Sequence, residues 1–191
     1  MENNLKVPIL ILVGPKHAGK TSTGRALASL VSGTFFDLDD EIARISGKSP
    51  RELFLQGEQL FREAEYKALK DILRSINIAL NTNIKKPFII ATGGGIVDNS
   101  EAMNLLKQSG TIIYLELASV IAWKRITQSA ERTGSLPPFL KTDDPEKTHR
   151  ILHERRAHLY RNLADLIIDA AQEPPEARAG EILYQLTRKT P

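Results

Sequence analysis

The sequence predicts an α/β fold, in which helices cover both sides of a mostly parallel sheet. Apolar runs alternate with segments of helical spacing along the chain, which is the pattern of repeated strand–helix–strand units. The runs at Phe88–Ala91 and Ile112–Leu115 are apolar without alternation, as in strands buried on both faces. The first apolar run also enters a glycine-containing loop followed by a helical pattern, which is the usual setting of a phosphate site.

The composition indicates one domain. Of the 191 residues, 41% are apolar, enough for one core, and we expect residues 1–191 to form a single domain. Cysteine is absent, which excludes disulfides and thiolate metal sites and favours the cytoplasm. The apolar segment near the N-terminus is too short to span a membrane and leads into a loop instead of a cleavage site. We therefore expect an unprocessed, monomeric protein with no membrane partner.

The charge pattern favours a small anionic ligand over nucleic acid. The net charge is only +3, and the basic excess is concentrated in residues 124–161, which hold nine Lys and Arg against five Asp and Glu. Such a local excess suits the wall of a pocket for an anion. Aromatic residues make up 6% of the chain and do not interleave with this stretch, so a base-stacking platform is not expected. The alternative to a pocket wall is that most of these charged residues lie on a solvent-exposed helix face.

Five segments are candidate strands, and the loops that follow three of them are candidate site loops. In an open parallel sheet, ligands bind beyond the carboxyl ends of the strands. The loops after the first three strands should therefore share one crevice. The candidate strands are Val7–Val13, Thr34–Leu38, Pro87–Thr92, Thr111–Leu117 and Leu166–Ile168.

The loop after the first strand fits the phosphate-binding pattern G-x-x-x-x-G-K-[ST], and a helical segment, Ser22–Val31, follows it. In such a loop, backbone N–H groups and the helix N-terminus face the phosphates, Lys20 reaches the outer phosphates, and the Thr21 hydroxyl ligates Mg²⁺. An ordinary turn would not require Lys and Thr together. We expect nucleotide phosphates at Gly14, Pro15, Lys16, His17, Ala18, Gly19, Lys20, Thr21 and Ser22.

The loop after the second strand supplies carboxylates, Asp37, Asp39 and Asp40. One carboxylate near a nucleotide can hold Mg²⁺ through water, and a second can position or deprotonate an attacking hydroxyl. Asp37 and Asp39 lie two apart and should point the same way on an extended chain. The alternative is that Asp39 or Asp40 caps a helix beginning at Glu41.

The loop after the third strand is Gly93-Gly94-Gly95. One glycine would suffice for a turn, so three indicate close approach of a ligand to bare backbone. On a helical pattern further upstream, Arg62 and Glu65 share one face, where the carboxylate could orient the guanidinium toward an acidic substrate. Such a pair is more often an ion pair on the protein surface, and the same caution applies to Arg155 and Arg156 on the late helix.

Residues 130–144 are rich in turn formers and predict a mobile lid over the nucleotide, with a plain surface connection as the alternative. Just beyond, His149 and His153 have the spacing of a zinc pair on a helix. The adjacent Glu of the H-E-x-x-H motif and a third ligand are missing, so we expect solvent-facing histidines.

In combination these segments resemble shikimate kinases, from about Ile9 to Leu186. The resemblance implies the three-layer fold of P-loop nucleoside triphosphatases, with a five-stranded parallel sheet of order 2-3-1-4-5 and a lid. It also implies transfer of the γ-phosphoryl group of ATP to the 3-hydroxyl of shikimate, a step of aromatic amino-acid biosynthesis. The matching segments are the phosphate loop, Phe36–Asp39, Gly57-Glu58, Phe61-Arg62, Glu65, Ala91–Gly95, Tyr114-Leu115, Arg156–Tyr160 and Ala164-Asp165.

The resemblance implies a role for each matching residue. For the nucleotide, Lys20 and Thr21 would serve the phosphates and Mg²⁺, with Asp37 near the metal. Asp39 would hold the substrate hydroxyls and act as the base. For the rest of the acceptor, the implied residues are Arg62 and Arg156 for its carboxylate, Glu65 to orient Arg62, Gly93, Gly94 and Gly95 along the pocket, and Phe54 and Phe61 as an apolar wall.

Three positions depart from the family pattern. His17 replaces a usual glycine, and we expect a changed phosphate affinity because His lacks glycine's backbone freedom. Pro137-Pro138-Phe139-Leu140 replaces Arg-Pro-Leu-Leu, which removes a cation from the lid, and Arg132 is the candidate substitute. Ala157 follows Arg156 where the family usually has a proline after the substrate arginine, so Arg155 is a rival to Arg156. These departures keep two alternatives open, namely a kinase of another polyol or hydroxy acid and a ligand-binding or regulatory protein with weak turnover.

Overall fold

A computed structural model describes residues 9–82, 86–171 and 174–188. All strand pairs are parallel, and their order is β2-β3-β1-β4-β5. The α/β class and the strand order expected from the resemblance are confirmed. The strands are β1 (Ile9–Val13), β2 (Thr34–Asp37), β3 (Phe88–Ala91), β4 (Thr111–Glu116) and β5 (Leu166–Asp169).

Helices cover both faces of the sheet. The α-helices are α1 (Lys20–Leu30), α2 (Leu38–Ser46), α3 (Pro50–Gln56), α4 (Glu58–Asn81), α5 (Ser100–Ser109), α6 (Ser119–Thr133), α7 (Pro145–Leu163) and α8 (Pro175–Arg188). Short 3₁₀ helices occupy Ile96–Asp98 and Pro138–Leu140. None of the described helices is long and apolar enough to cross a membrane.

The two faces of the sheet belong to two separate apolar cores. Ile9, Ile11 and Val13 of β1 pack with helices α2, α4 and α5, whereas Leu10 and Leu12 pack with α1, α6 and α8. All five residues of β1 are buried, because a central parallel strand has a helical layer on either side. This arrangement fixes the carboxyl end of β1, and hence the phosphate loop, at the middle of the sheet edge.

Several predicted boundaries shift in the structure. Val7 lies outside the described residues. Leu38 begins helix α2 instead of ending β2, because the Asp37 side chain accepts a hydrogen bond from the Asp39 N–H at 3.0 Å and caps the helix. Helix α6 continues to Thr133 before Gly134 takes a left-handed conformation with φ of 76°. The first four residues of the predicted lid are therefore helical.

Candidate nucleotide and acceptor site

The loops after β1, β2 and β3 line one cleft of about 630 Å³ at the carboxyl edge of the sheet. Helix α3, the start of α4 and the segment after α6 complete its walls. Most of the predicted phosphate, carboxylate, glycine and arginine residues line this cleft. Gly14, Pro15 and Ala18 belong to the loop but do not face the cleft, and Asp40, Arg132 and Arg155 are exposed outside it.

Lys20 is folded back onto the phosphate loop. Its ammonium Nζ donates hydrogen bonds to the carbonyl oxygens of Gly14 at 2.9 Å and Pro15 at 2.8 Å. Burial lowers the Lys20 pKa to about 8, against the opposing attraction of Asp39 and Asp37. A lysine in this position is held ready over the loop and gains a stronger partner when a phosphate enters.

His17 keeps the backbone conformation that glycine would supply. Its φ is 62°, in the left-handed region that most residues avoid at a cost of about 1–2 kcal/mol. The expected effect of His17 on phosphate affinity stays a prediction. Burial, followed by repulsion from Lys16, lowers the His17 pKa to about 4. Its Nε2 has no hydrogen-bond partner among the described residues.

The first carboxylate, Asp37, joins the phosphate loop to helix α2. The Thr21 hydroxyl donates to Asp37 Oδ2 at 2.7 Å, while Asp37 Oδ1 caps α2. The alternative that Asp39 or Asp40 caps a helix at Glu41 is wrong. Two adjacent oxygen ligands beside a phosphate loop match the preference of Mg²⁺ for hard oxygen donors, so Thr21 and Asp37 fit the predicted metal position.

The second carboxylate, Asp39, lies in the first turn of α2 and not on extended chain as predicted. Its side chain is open to the cleft, but the surrounding protein displaces bulk water from it. This desolvation raises the Asp39 pKa, the neighbouring Asp37 raises it further, and Lys20 opposes the shift. Helix α2 therefore turns Asp39 into the cleft and keeps it between the lysine of the loop and the glycine turn.

The three glycines bring protein groups close together. A Cβ on Gly94 would lie 2.7 Å from the backbone N of Lys16, and one on Gly93 would lie 3.2 Å from Asp39 Oδ1. A Cβ on Gly95 would lie 3.1 Å from Arg156 Nη2. The sequence predicted close approach of a ligand, whereas the structure shows close approach of the phosphate loop, the carboxylate and the arginine.

Arg62 and Glu65 form an ion pair, and the pair is largely buried and does not lie on the surface. Arg62 Nη1 donates to Glu65 Oε2 at 3.1 Å and to the Gly95 carbonyl at 3.0 Å. Asn99, which sequence reasoning missed, caps α5 and donates through Nδ2 to Glu65 Oε2 at 3.0 Å and to the Arg62 carbonyl at 2.9 Å. Burial raises the Glu65 pKa more strongly than Arg62 lowers it. The arginine is thus fixed from two sides.

Asp98 is the second residue that the sequence did not reveal. It accepts from Arg156 Nε at 2.9 Å and Nη2 at 2.6 Å, and from Arg155 Nη2 at 2.7 Å. Its Oδ2 also lies 3.6 Å from Arg62 Nη2. Arg156 lines the cleft with a side chain 16% exposed, whereas that of Arg155 is 52% exposed and does not line it. Of the two rivals, Arg156 therefore faces the cleft.

The segment after α6 covers the acceptor end of the cleft. Phe139 packs edge-on against Phe54 at 6.5 Å and lies under the Arg156 guanidinium at 5.6 Å. Arg51 Nη2 donates to Ser135 Oγ at 2.6 Å, which ties the segment to α3. These contacts place the segment after α6 over the acceptor end of the cleft. The mobility expected of a lid stays a prediction.

Two further arginines, also missed, support the nucleotide end. Arg125 of α6 donates to the carbonyls of His17 at 3.0 Å and Ala171 at 2.8 Å. The buried Arg178 of α8 donates through Nε to the Thr23 hydroxyl at 3.1 Å. Both contacts join elements far apart in sequence, and no local pattern marks either residue.

The histidine pair of α7 is buried, so the prediction of solvent-facing side chains is wrong. His149 is 5% exposed and His153 9% exposed, because α7 packs against α6. The His149 ring lies 5.4 Å from the Trp123 ring and 5.4 Å from the His153 ring. Burial lowers the His149 pKa to about 4 and lowers that of His153. No group of three or more metal-ligating side chains occurs in the described ranges.

Comparisons with known proteins point to one family. A family model described as shikimate kinase matches residues 16–187. A shikimate kinase of Marinomonas sp. is 34% identical over 185 residues, covering 96% of this chain and 94% of that protein. The shikimate kinase of Nitrosospira multiformis is 34% identical over 179 residues, covering 93% of this chain and 84% of that protein.

Solved structures give the same result. The shikimate kinase from Acinetobacter baumannii in complex with shikimate has a TM-score of 0.81 and 32% identity, covering 98% of this chain and 97% of that one. A gluconokinase from Sinorhizobium meliloti, with a TM-score of 0.53 and 17% identity over 94% of this chain and 91% of that one, shares the fold alone. With nearly the whole length matched and the cleft residues in place, the chain belongs to the shikimate kinase family, which consists of ATP-dependent kinases with an alcohol acceptor.

Proposed function

We propose that this protein is a shikimate kinase, which transfers the γ-phosphoryl group of ATP to the 3-hydroxyl of shikimate. The observation that carries the proposal is that a single cleft is lined by Lys20, by Asp39 and by the Arg62–Arg156 pair. A phosphate donor and an acidic alcohol can therefore meet at one carboxylate. The predicted cytoplasmic location and monomeric state stay predictions.

At the nucleotide end, the loop N–H groups hold the phosphates and Lys20 leaves its two carbonyl partners for the outer phosphate oxygens. Thr21 and Asp37 would hold Mg²⁺, directly or through water. When bound, the metal ion neutralises charge that develops on the β- and γ-phosphates. Arg132, exposed on α6, would have to turn inward to take the part of the missing lid arginine.

At the reacting centre, Asp39 takes the proton of the acceptor hydroxyl. Its raised pKa brings the carboxylate closer to the working range of a general base. As the hydroxyl oxygen bonds to the γ-phosphorus, the bond to the bridging oxygen breaks and ADP leaves. Lys20 stabilises charge on the transferring group, and Asp39 keeps the proton until product release.

At the acceptor end, Arg62 and Arg156 hold the substrate carboxylate, and Phe54, Phe61 and Phe139 form the apolar wall. Phe54 and Phe61 lie edge to face with ring centroids 6.0 Å apart. The three aromatic rings suit the carbon face of a cyclohexene ring. A flat acidic ring would thus be bound by charge at one side and by packing on its faces.

ADP release from ATP and Mg²⁺, with and without shikimate, tests the proposal. We expect strong shikimate-dependent release, lost in Asp39→Asn and Arg62→Ala while nucleotide binding remains, with Lys20→Ala as the blank. Arg44→Ala is the matched control, since Arg44 is an exposed arginine paired with Glu41 on the outer side of α2. Full turnover in Asp39→Asn would show that Asp39 is not the base of the reaction.

A second candidate is a kinase of another polyol or hydroxy acid, and the pairing of Asp98 with Arg156 favours it. An arginine that already holds a protein carboxylate attracts an acidic acceptor less strongly. Turnover of a neutral polyol above that of shikimate would establish this candidate. ATP binding without turnover of any acceptor would instead indicate the ligand-binding alternative.

A further inference from the structure

We infer that Asp98 is an internal counter-carboxylate of the acceptor site, which shares the arginines with the acceptor's carboxylate and thereby lowers the affinity for acidic acceptors. The inference deepens the proposed function and rests on it for the identity of the acceptor. Asp98 is a specificity-determining residue in this view, and it touches no reacting atom.

The geometry puts Asp98 in the gap between the two arginines of the cleft. Its Oδ2 lies 2.6 Å from Arg156 Nη2 and 3.6 Å from Arg62 Nη2. A substrate carboxylate held by both arginines would lie against the same two guanidinium groups. The carboxylate of Asp98 therefore competes for donors, and it does so from within the chain at a fixed position.

The hydrogen bonds leave few donors for an incoming carboxylate. Arg62 Nη1 is engaged by Glu65 and the Gly95 carbonyl, and its Nη2 faces Glu58 at 3.3 Å as well as Asp98. Arg156 gives Nε and Nη2 to Asp98, and its Nη1 donates no hydrogen bond within the described residues. An acidic acceptor thus finds Nη1 of Arg156 and Nε of Arg62 without a hydrogen-bond partner among the described residues, while the other guanidinium donors are already shared.

Asp98 is held both by its backbone and by its side chain, which accepts hydrogen bonds from two arginines. It closes the 3₁₀ helix Ile96–Asp98, in which its N–H donates to the Gly95 carbonyl at 3.0 Å. The exposed fractions of the side chains are 13% for Asp98, 12% for Arg62 and 16% for Arg156. Water screens like charges weakly at such burial. A second carboxylate in this gap would therefore be repelled by the first, and the repulsion selects against charge on the acceptor.

The kinetic test compares the wild type with Asp98→Asn, which keeps the shape and removes the charge. We expect the KM for shikimate to fall about tenfold, the size of effect that one like-charge contact of 1.4 kcal/mol produces, with the KM for ATP unchanged. Asp98→Ser provides a second variant, and circular dichroism checks the fold of both. Glu63→Gln, an exposed carboxylate on α4, is the control. A higher KM for shikimate in Asp98→Asn would mean that Asp98 orients Arg156 for the substrate. An unchanged KM would mean that Asp98 does not affect acceptor binding. Either result would overturn the inference.

A chemical test separates this inference from the proposed function. Phenylglyoxal modifies free guanidinium groups, and peptide mass spectrometry gives the rate at Arg156. We expect a several-fold faster rate in Asp98→Asn, with Arg44 as the internal reference, and stronger protection by cyclohexanecarboxylate than in the wild type. This result would support the inference even if no variant turned over shikimate, in which case only the proposed acceptor fails. An unchanged rate and unchanged protection would overturn the inference.

Discussion

Replacing the three glycines of the turn Gly93–Gly95 one at a time with alanine should give three different kinetic phenotypes. The reason is that the added methyl groups point at different partners. At Gly93 the new Cβ meets Asp39 Oδ1 at 3.2 Å, and at Gly95 it meets Arg156 Nη2 at 3.1 Å. Both neighbours are ends of side chains, which can yield by a few tenths of an ångström. We expect Gly93→Ala to lower kcat and Gly95→Ala to raise the KM for the acceptor several-fold.

Gly94→Ala should be the most damaging variant because its neighbour is backbone. The Cβ would lie 2.7 Å from the Lys16 N, and an ordinary contact begins near 3.4 Å, so the phosphate loop must move by 3.4 − 2.7 = 0.7 Å. Overpacking of this kind costs about 1–3 kcal/mol of stability, and a displacement near 1 Å costs about 100-fold in rate. We expect a higher KM for ATP and a kcat lowered by one to two orders of magnitude.

The assay is ADP release over a grid of ATP and acceptor concentrations, with thermal unfolding of each variant. Gly180→Ala is the matched control, since no atom lies within 4 Å of its added Cβ and Gly180 is inside helix α8. This change should leave the kinetics intact and stabilise the fold by about 0.5–1 kcal/mol. If the three site variants shared one phenotype, or if Gly94→Ala kept the wild-type KM for ATP, the contacts described for this turn would not govern the site.

Three further predictions concern titration and strain. The pKa of Lys20 is lowered to about 8 in the free protein, so Lys20 loses its charge as the pH rises through 8. Calorimetry should therefore show that the ATP affinity of the wild type falls between pH 7 and 9, whereas that of Lys20→Met should be low and independent of pH. An ATP affinity of the wild type that does not change with pH would contradict the assignment. His149, neutral when folded because its pKa is lowered from 6.5 to about 4, supports full stability above pH 6.5 and loses it as the pH falls toward 4. Urea unfolding at pH 7 and pH 4.5 should therefore show a smaller acid loss in His149→Phe than in the wild type or in His158→Phe, which alters an exposed histidine; equal losses in all three would refute this. At the left-handed position of His17, His17→Gly should be more stable than His17→Ala by about 1 kcal/mol in denaturant unfolding, since both remove the imidazole and only glycine removes the strain; equal stabilities would exclude strain at this position.

Patterns in the sequence predicted the sheet and most of the cleft. Buried parallel strands have continuous apolar runs, and the phosphate loop has a fixed spacing of Gly, Lys and Thr, so both can be recognised locally. The strand order came from the family resemblance. Boundaries were less predictable: Leu38 is apolar and continues the pattern of β2, but the Asp37 cap makes it the first residue of α2.

Features that depend on tertiary contacts escaped prediction. Asp98 follows two apolar residues in a short 3₁₀ helix that no sequence pattern marks, and its partners Arg155 and Arg156 lie 57 and 58 residues further along the chain. The spacing of His149 and His153 describes one helix face, but burial depends on the Trp123 ring of another helix. A pattern in sequence reports which side chains share a face and does not report what covers that face.

The contacts of Asn99 have a consequence for attempts to change the acceptor. The Asn99 amide caps α5, holds Glu65 and binds the backbone of Arg62, so two helices, α4 and α5, depend on a single residue. The nucleotide loop has no direct share in these bonds and meets the acceptor side through the glycine turn. An engineer could therefore exchange Arg62, Glu65 and Asn99 together as one unit, and keep the nucleotide half. Changing the arginines of the acceptor site one at a time would also disturb neighbouring residues that the change was not meant to affect.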